Sequence, residues 1–165
     1  MKLLLSVILV FYISNSFCQV YIKSNEEIIF TFKTNGKKQV YLIKDRTNKY
    51  ICYRYGSKDK IDFEFPAINK ESWNQFTYSF YLRGGGISNA GMDLNYIYFK
   101  NKGYKYIIYD TYYATGNEMK VGVRVLDIKT DKLIVDIKGQ PKTRKGSLVD
   151  FRDSNLLKIG DELFD

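Results

Sequence analysis

The sequence predicts an all-β fold, an antiparallel meander that closes into a roughly eight-stranded barrel or folds into a sandwich. Three observations carry this. Apolar and aromatic residues alternate with polar ones in run after run, as in Phe76-Thr77-Tyr78-Ser79-Phe80-Tyr81-Leu82-Arg83, and period two marks a strand with one face on a core. Turn signals separate the runs, among them Asn35-Gly36, Lys100-Asn101-Lys102-Gly103 and Thr115-Gly116-Asn117. No helical heptad, repeat or low-complexity tract interrupts them. The barrel is the favoured closure, because it removes strand edges that an aromatic-rich chain would expose to aggregation.

The first residues stand apart from this pattern. Lys2 makes a positive n-region, the run from Leu3 to Tyr12 is apolar except at Ser6, and Ser14, Asn15 and Ser16 follow. This is the layout of a secretory signal peptide over residues 1–18, too short for a comfortable membrane span. Ser16 and Cys18 supply small residues before a cleavage at Gln19. Lipid anchoring at Cys18 is disfavoured because the bulky Phe17 precedes it. Residues 19–165 then form a single β domain with no transmembrane segment, periplasmic or secreted, and a monomer. If Cys18 leaves with the leader, Cys52 has no partner, and its place in the strand-like run Lys49-Tyr50-Ile51-Cys52-Tyr53 makes it a buried, inert thiol.

The remaining runs are read as strands in order. Ile28, Phe30 and Phe32 share one face, Asn35-Gly36 turns, and residues 38–44 return. A turn at residues 45–48 leads to a strand at 49–55. A second turn at 56–59 leads to Ile61, Phe63 and Phe65 facing inward, with Lys60, Asp62 and Glu64 outward and Pro66 as a stop. A connector at 67–74 is pinned by Trp73, with a helical turn at 71–74. Residues 94–99, apolar or aromatic at nearly every position, read as a strand covered on both faces, and residues 104–113, 119–128 and 132–138 complete the meander. Ser147 to Phe151 reads as a last short strand.

Function is less legible. The formal charge of +8, without histidine, falls by one when Lys2 leaves with the leader. A solvated lysine-rich surface is its favoured reading, and attraction of an exported chain to anionic envelope polymers, acidic glycans or nucleic acid the minority one. The lack of histidine leaves no His-based triad, general base or metal ligand. Asp62 and Glu64 share a strand face at a spacing suited to paired carboxylates, but their strict alternation with Ile61, Phe63 and Phe65 reads as a solvated face. Asp110 interrupts an aromatic strand and is placed to face Arg124 across a hairpin. The acidic tail residues Asp150, Asp153, Asp161 and Glu162 lack the ligand ladder of a calcium loop. Gly84-Gly85-Gly86 opens a long loop with no Gly-Lys-Ser/Thr ending, which makes it a poor phosphate cradle. Simple tolerance of a floppy surface loop is its favoured reading, and close approach to a ligand the minority one. A ligand approaching that loop would meet Arg83, Gly84, Gly85, Gly86, Asn89 and Gly91, which are the candidate binding residues. Aromatic and basic residues together permit single-stranded nucleic-acid binding, but export argues against such a partner.

Tyr53-Arg54-Tyr55-Gly56, followed by Ile61-x-Phe63-x-Phe65-Pro66, resembles an uncharacterised family of small secreted bacterial β-proteins. The Arg83 to Gly86 segment and Gly103-Tyr104-x-Tyr106-x-x-Tyr109 fit the same family, and the similarity runs from Glu26 to Asp153. Relatives carry cysteines near positions 31 and 43, where this chain has Thr31 and Ile43, so the disulfide implied by the resemblance is absent. More coarsely, the chain resembles the periplasmic lysozyme inhibitors, small β-barrels that insert a loop into the enzyme's cleft. Their Ser-Gly-x-x-Tyr motif is missing, and a basic protein would be steered away from the many lysozymes that are themselves basic. The expectation is therefore a non-catalytic exported binding module, without cofactor or metal, for an envelope or host polymer or protein. The alternative is an inhibitor or immunity-type protein that blocks a secreted hydrolase such as a lysozyme through residues 83–91.

Overall fold

The structure is a computed structural model that describes residues 22–57, 59–66 and 72–164. The leader and Cys18 lie outside these residues, as does the connector at 67–71. The chain forms β1 (Glu26–Lys33), β2 (Gln39–Asp45), β3 (Ile51–Ser57), β4 (Lys60–Phe65), β5 (Thr77–Arg83), β6 (Met92–Asn101), β7 (Tyr104–Tyr113), β8 (Glu118–Asp127), β9 (Leu133–Lys138), β10 (Lys145–Gly146) and β11 (Lys158–Ile159). Two sheets result, one of five strands in the order β10-β1-β2-β3-β4 and one of six in the order β11-β5-β6-β7-β8-β9. All pairings are antiparallel except β5 with β11.

The fold is all-β and sandwich-like; the closed barrel does not form. The ladder of the first sheet stops at β4, where Pro66 ends the strand, and the chain starts the second sheet with β5 rather than extending the first. Among the described residues the sheets share one bridge, Thr34 with Gly139, and Asn35 N–H donates to the Lys138 carbonyl at 3.0 Å. Strands β4 and β9 remain free edges on their outer sides.

The core lies between the sheets. Phe30, Phe32, Val40, Leu42, Ile51 and Tyr53 from the first sheet meet Phe76, Tyr78, Ile97, Phe99, Ile108, Val121 and Val123 from the second, all buried. Near-parallel rings bind the seam: Phe65 on Phe99 at 4.2 Å, Phe99 on Tyr106 at 5.0 Å, and Phe63 on Tyr106 at 5.1 Å between centroids. Residues 147–151 are not a strand. Ser147 caps a short 3-10 turn, Leu148–Phe151, by accepting from Val149 N–H, and the turn buries Leu148 and Phe151 in one end of the core. The tail is ordered as well, with β11 on β5 and Phe164 edge-on to Tyr96 and Tyr98 on the outer face of the second sheet.

Bulges overturn the simple alternation at two of the predicted strands. In β1 the register shifts between Ile28 and Phe30. Ile28 is therefore 41% exposed while Ile29 packs on the core, since one extra residue exchanges the faces of everything before it. Glu26 is thereby carried to the outer face of the first sheet, beside Arg54 and Glu64. Arg54 donates to both Glu26 oxygens at 2.6 and 2.8 Å and, through Nε, to Glu64. Tyr50 donates to Glu26 at 3.0 Å. Glu64 faces outward as expected and is the exposed arm of an ionic network whose other members, Glu26 and Arg54, are buried. Cys52 is a buried free thiol, and burial pushes it up to about 12, as an inert cysteine requires.

Burial pushes the Glu26 carboxyl up, but hydrogen bonds from Arg54, the Lys23 backbone and Tyr50, with the charge of Arg54, outweigh it and hold it below 4.5. A depressed folded-state value contributes stability above pH 4.5 that is lost as pH falls through the folded value. Arg54→Ala should cost about 3–5 kcal/mol in urea unfolding at neutral pH, because it strands the buried Glu26 carboxylate. Glu26→Gln should also destabilise at neutral pH, and its cost should shrink in acid as wild-type Glu26 protonates. A Glu26→Gln cost that does not change with pH would contradict this assignment.

Candidate ligand-binding cleft

The register shift between Tyr55 and Gly56 leaves Asp62 unpaired in β4, with Tyr55 opposite Phe63 and Gly56 opposite Ile61. Ile61 therefore packs on the outer cluster of Tyr41 and Ile43 rather than in the core, and Asp62 turns to the inner side. In β9 a matching shift pairs Val125 with Val135 and Leu126 with Leu133, leaving Ile134 unpaired. Bulges bend an edge strand and re-aim its side chains, and here they flank a gap between the sheets.

The gap is a cleft of 440 Å³ lined by Tyr53, Tyr55, Asp62 and Phe63 of the first sheet, and by Tyr104, Tyr106, Val123, Val125, Ile134, Val135 and Ile137 of the second. Its walls are aromatic and aliphatic except for Asp62 and the tyrosine hydroxyls. Asp62 is bound by Lys38 at 2.7 Å, and the Lys38 ammonium also sits 5.2 Å from the centre of the Tyr55 ring. The hydrogen bond from Lys38 holds the Asp62 carboxyl below its ordinary value, with a smaller contribution from Lys60, which lies 3.8 Å from it. Tyr53 is 2% exposed. Burial, with smaller contributions from the hydroxyls of Tyr55 and Tyr106, pushes its phenol well above the ordinary range. It stays neutral and able to donate. The size and the mostly apolar lining with a few polar groups are those of small-molecule sites.

At the other end of the sandwich the interior is polar and plugged. Asp110 is 3% exposed and lies beside Arg144 at 3.2 Å, Leu148 N–H at 3.3 Å and Ser147 Oγ at 3.5 Å. The expected pairing with Arg124 does not occur: Asp110 stands opposite Val121 in the β7–β8 ladder, while Arg124 lies over the Tyr109 ring and 4.0 Å from Asp136. Next to Asp110, Arg152 donates to Asp93 at 2.7 Å and to Asn95 at 3.0 Å, and Tyr78 donates to Asn95 at 2.6 Å. A space of 190 Å³ between Asp93, Asp110, Tyr112 and Arg144 is left, and its polar groups bind the 3-10 turn that closes the core.

The glycine loop is also at this end, and it is folded rather than floppy. Arg83, Gly84, Gly85, Gly86, Asn89 and Gly91 come together in it. The Arg83 guanidinium donates to the Ala90 carbonyl at 2.8 and 3.1 Å, Asn89 to the Gly84 carbonyl at 3.0 Å, and Gly91 N–H to the Gly86 carbonyl at 2.7 Å. Gly86 has φ +61°, and a side chain on Gly91 would stand 3.0 Å from the Gly86 backbone, so both positions favour glycine. The arrangement leaves Ile87 75% exposed at the tip.

Sequence reasoning missed the cleft because it placed Asp62 outside and read residues 132–138 as an ordinary strand. The available signal was Leu133-Ile134-Val135, three apolar residues in a row where strict alternation allows two on one face.

Burial raises the Asp110 carboxyl above 3.8 and outweighs the lowering by Arg144 and the Leu148 N–H. A raised folded-state value means that stability falls as pH rises above 3.8 toward the folded value. Asp110→Asn keeps the acceptor for Leu148 without the charge, so it should melt higher than wild type at neutral pH and converge with it in acid. A lower melting temperature at neutral pH would show that the charge pairing with Arg144 dominates. Comparison of the chain with models of known protein families, with curated proteins and with solved structures finds no match.

Proposed function

We propose that the chain is an exported, non-catalytic binding module that takes a small apolar molecule into the cleft between its sheets. The observation that carries this reading is the 440 Å³ gap with a tyrosine-rich apolar lining, opened by bulges on two edge strands. Such a gap is costly to the fold, because interiors are otherwise packed to crystal density. The basic charge of the chain complements this role by drawing it to anionic envelope surfaces, where apolar molecules accumulate.

A second reading rests on a separate observation. Ile87 projects from a loop braced by Arg83, and a rigid apolar tip suits insertion into an enzyme cleft, as the resemblance to lysozyme inhibitors implies.

Fluorescence titration with phenylnaphthylamine, an uncharged dye that brightens in apolar surroundings, tests the first reading. A saturable one-site rise is expected. Val135→Trp at the cleft should lower the affinity at least tenfold, and Ile87→Ser should leave it intact. Absence of saturable binding by the wild type would reject the cleft. The loop reading predicts a different pattern, a dose-dependent loss of lysozyme activity that Ile87→Ser removes and Val135→Trp leaves.

A further inference from the structure

If the cleft is the binding site, two features of its lining narrow the chemistry of what enters. The first is ring geometry. Phe63 and Tyr106 both line the cleft and belong to a stack that continues through Phe99 to Phe65, with interplanar angles of 15°, 3° and 8° along it. Parallel rings favour a planar guest that aligns with them, since offset stacking needs coplanar faces. A flexible chain gains no such alignment and gives up rotamer freedom on entry.

The second feature is an unused donor. Tyr53 lines the cleft and is 2% exposed, yet among the described residues its hydroxyl has no hydrogen-bond partner. The hydroxyl is not sealed in the core, where the unpaired buried atoms among the described residues are Ser79 Oγ and Arg152 Nε; it opens to the cleft, where a guest can meet it. Phe63 and Phe99 pack on the Tyr53 ring at 5.9 and 5.4 Å and carry no acceptor, while the hydroxyls of Tyr55 and Tyr106 act on its phenol only through space, without a hydrogen bond to it. The guest also has to be uncharged. Apolar walls cannot solvate an ion, and the one acidic group at the cleft, Asp62, is already held by Lys38 and Lys60.

We propose that the cleft takes an uncharged planar ring compound bearing a carbonyl or comparable oxygen acceptor, and that the Tyr53 hydroxyl donates to that oxygen. The rings of Phe63 and Tyr106 align with the guest's plane, and Val123, Val125 and Ile137 close on its other side. Discrimination follows from the hydroxyl. A ring hydrocarbon of the same shape leaves Tyr53 unpaired and binds more weakly, as sites built around a polar group do when that group has nothing to meet.

Three probes of similar size separate these terms: acetylnaphthalene, a planar ketone; ethylnaphthalene, its hydrocarbon counterpart; and dodecanone, a flexible ketone. Displacement of phenylnaphthylamine from the wild type should rank acetylnaphthalene tightest. Tyr53→Phe should weaken acetylnaphthalene about fivefold to tenfold, the worth of one net hydrogen bond, while ethylnaphthalene is unchanged. The variant should melt no lower than wild type, because it removes only an unpaired hydroxyl. On the unmodified protein, the carbonyl stretch of bound acetylnaphthalene should move to lower frequency than in hexane, a readout that needs no variant. Equal binding of acetylnaphthalene by wild type and Tyr53→Phe, or tighter binding of dodecanone, would overturn the proposal and leave the cleft as a site of other specificity. Failure of every probe, phenylnaphthylamine included, would remove the cleft reading itself.

Discussion

The ring of Phe99 sets the distance between the sheets. It touches Tyr53, Phe63 and Phe65 of the first sheet and Phe76 and Tyr106 of the second, at centroid separations between 4.2 and 6.4 Å. Rings from both sides meet there in full contact, which holds the layers about 10 Å apart as in other packed sheets. Toward β8 and β9 the second sheet offers Val123, Val125, Val135 and Ile137. These side chains are too short to span a gap fixed by stacked aromatics. The cleft is therefore a consequence of one constraint, an aromatic seam beside an aliphatic wall, and the bulges at Asp62 and Ile134 keep its mouth from closing.

The two ends of the sandwich answer different requirements. The end holding Asp110, Asn95 and Asp93 has its polar groups tied to Arg144, Arg152 and the 3-10 turn at Leu148. Those bonds close the core and order the glycine loop's neighbourhood. The opposite end carries no such plug among the described residues, and Asp62, paired with Lys38 and Lys60, lies at the edge of the cleft. On the outer face of the first sheet, the Glu26–Arg54–Glu64 network covers what would otherwise be an apolar sheet surface. Arg54 and Glu26 are buried together in it, so the loss of either strands the other, while Glu64 keeps access to water.

Much of the strand plan could be read from residues, because short antiparallel connections are local. The turn at Lys102-Gly103 follows from its turn residues, the long β6–β7 and β7–β8 pairs from apolar runs joined by short turns, and the burial of Cys52 from its place in such a run. The faces of Ile28, Ile61 and Asp62 could not be read. Each lies at or beyond a bulge, and a bulge is defined by the partner strand's register, which period-two patterning does not contain. The choice between barrel and sandwich was hidden for a similar reason. It depends on whether β4 and β9 find each other across the fold, and after Pro66 ends β4 the next strand, β5, pairs in the second sheet instead. The glycine loop was visible as a segment, but its bracing by Arg83 and Asn89 required the backbone geometry. The cleft was the least legible feature, since it arises from the relative lengths of side chains on strands far apart in sequence.

Methyl-resolved NMR on protein labelled at isoleucine and valine tests the central claim most directly, because the aliphatic wall reports from inside the gap. Addition of acetylnaphthalene should shift the methyls of Val123, Val125, Val135 and Ile137 through ring currents, with contacts from the naphthalene protons to those groups. Ile87 at the loop tip and Ile159 in the tail strand should not move. Shifts confined to Ile87, or an unperturbed wall at saturating probe, would contradict the account that the aromatic seam leaves a usable space between the sheets.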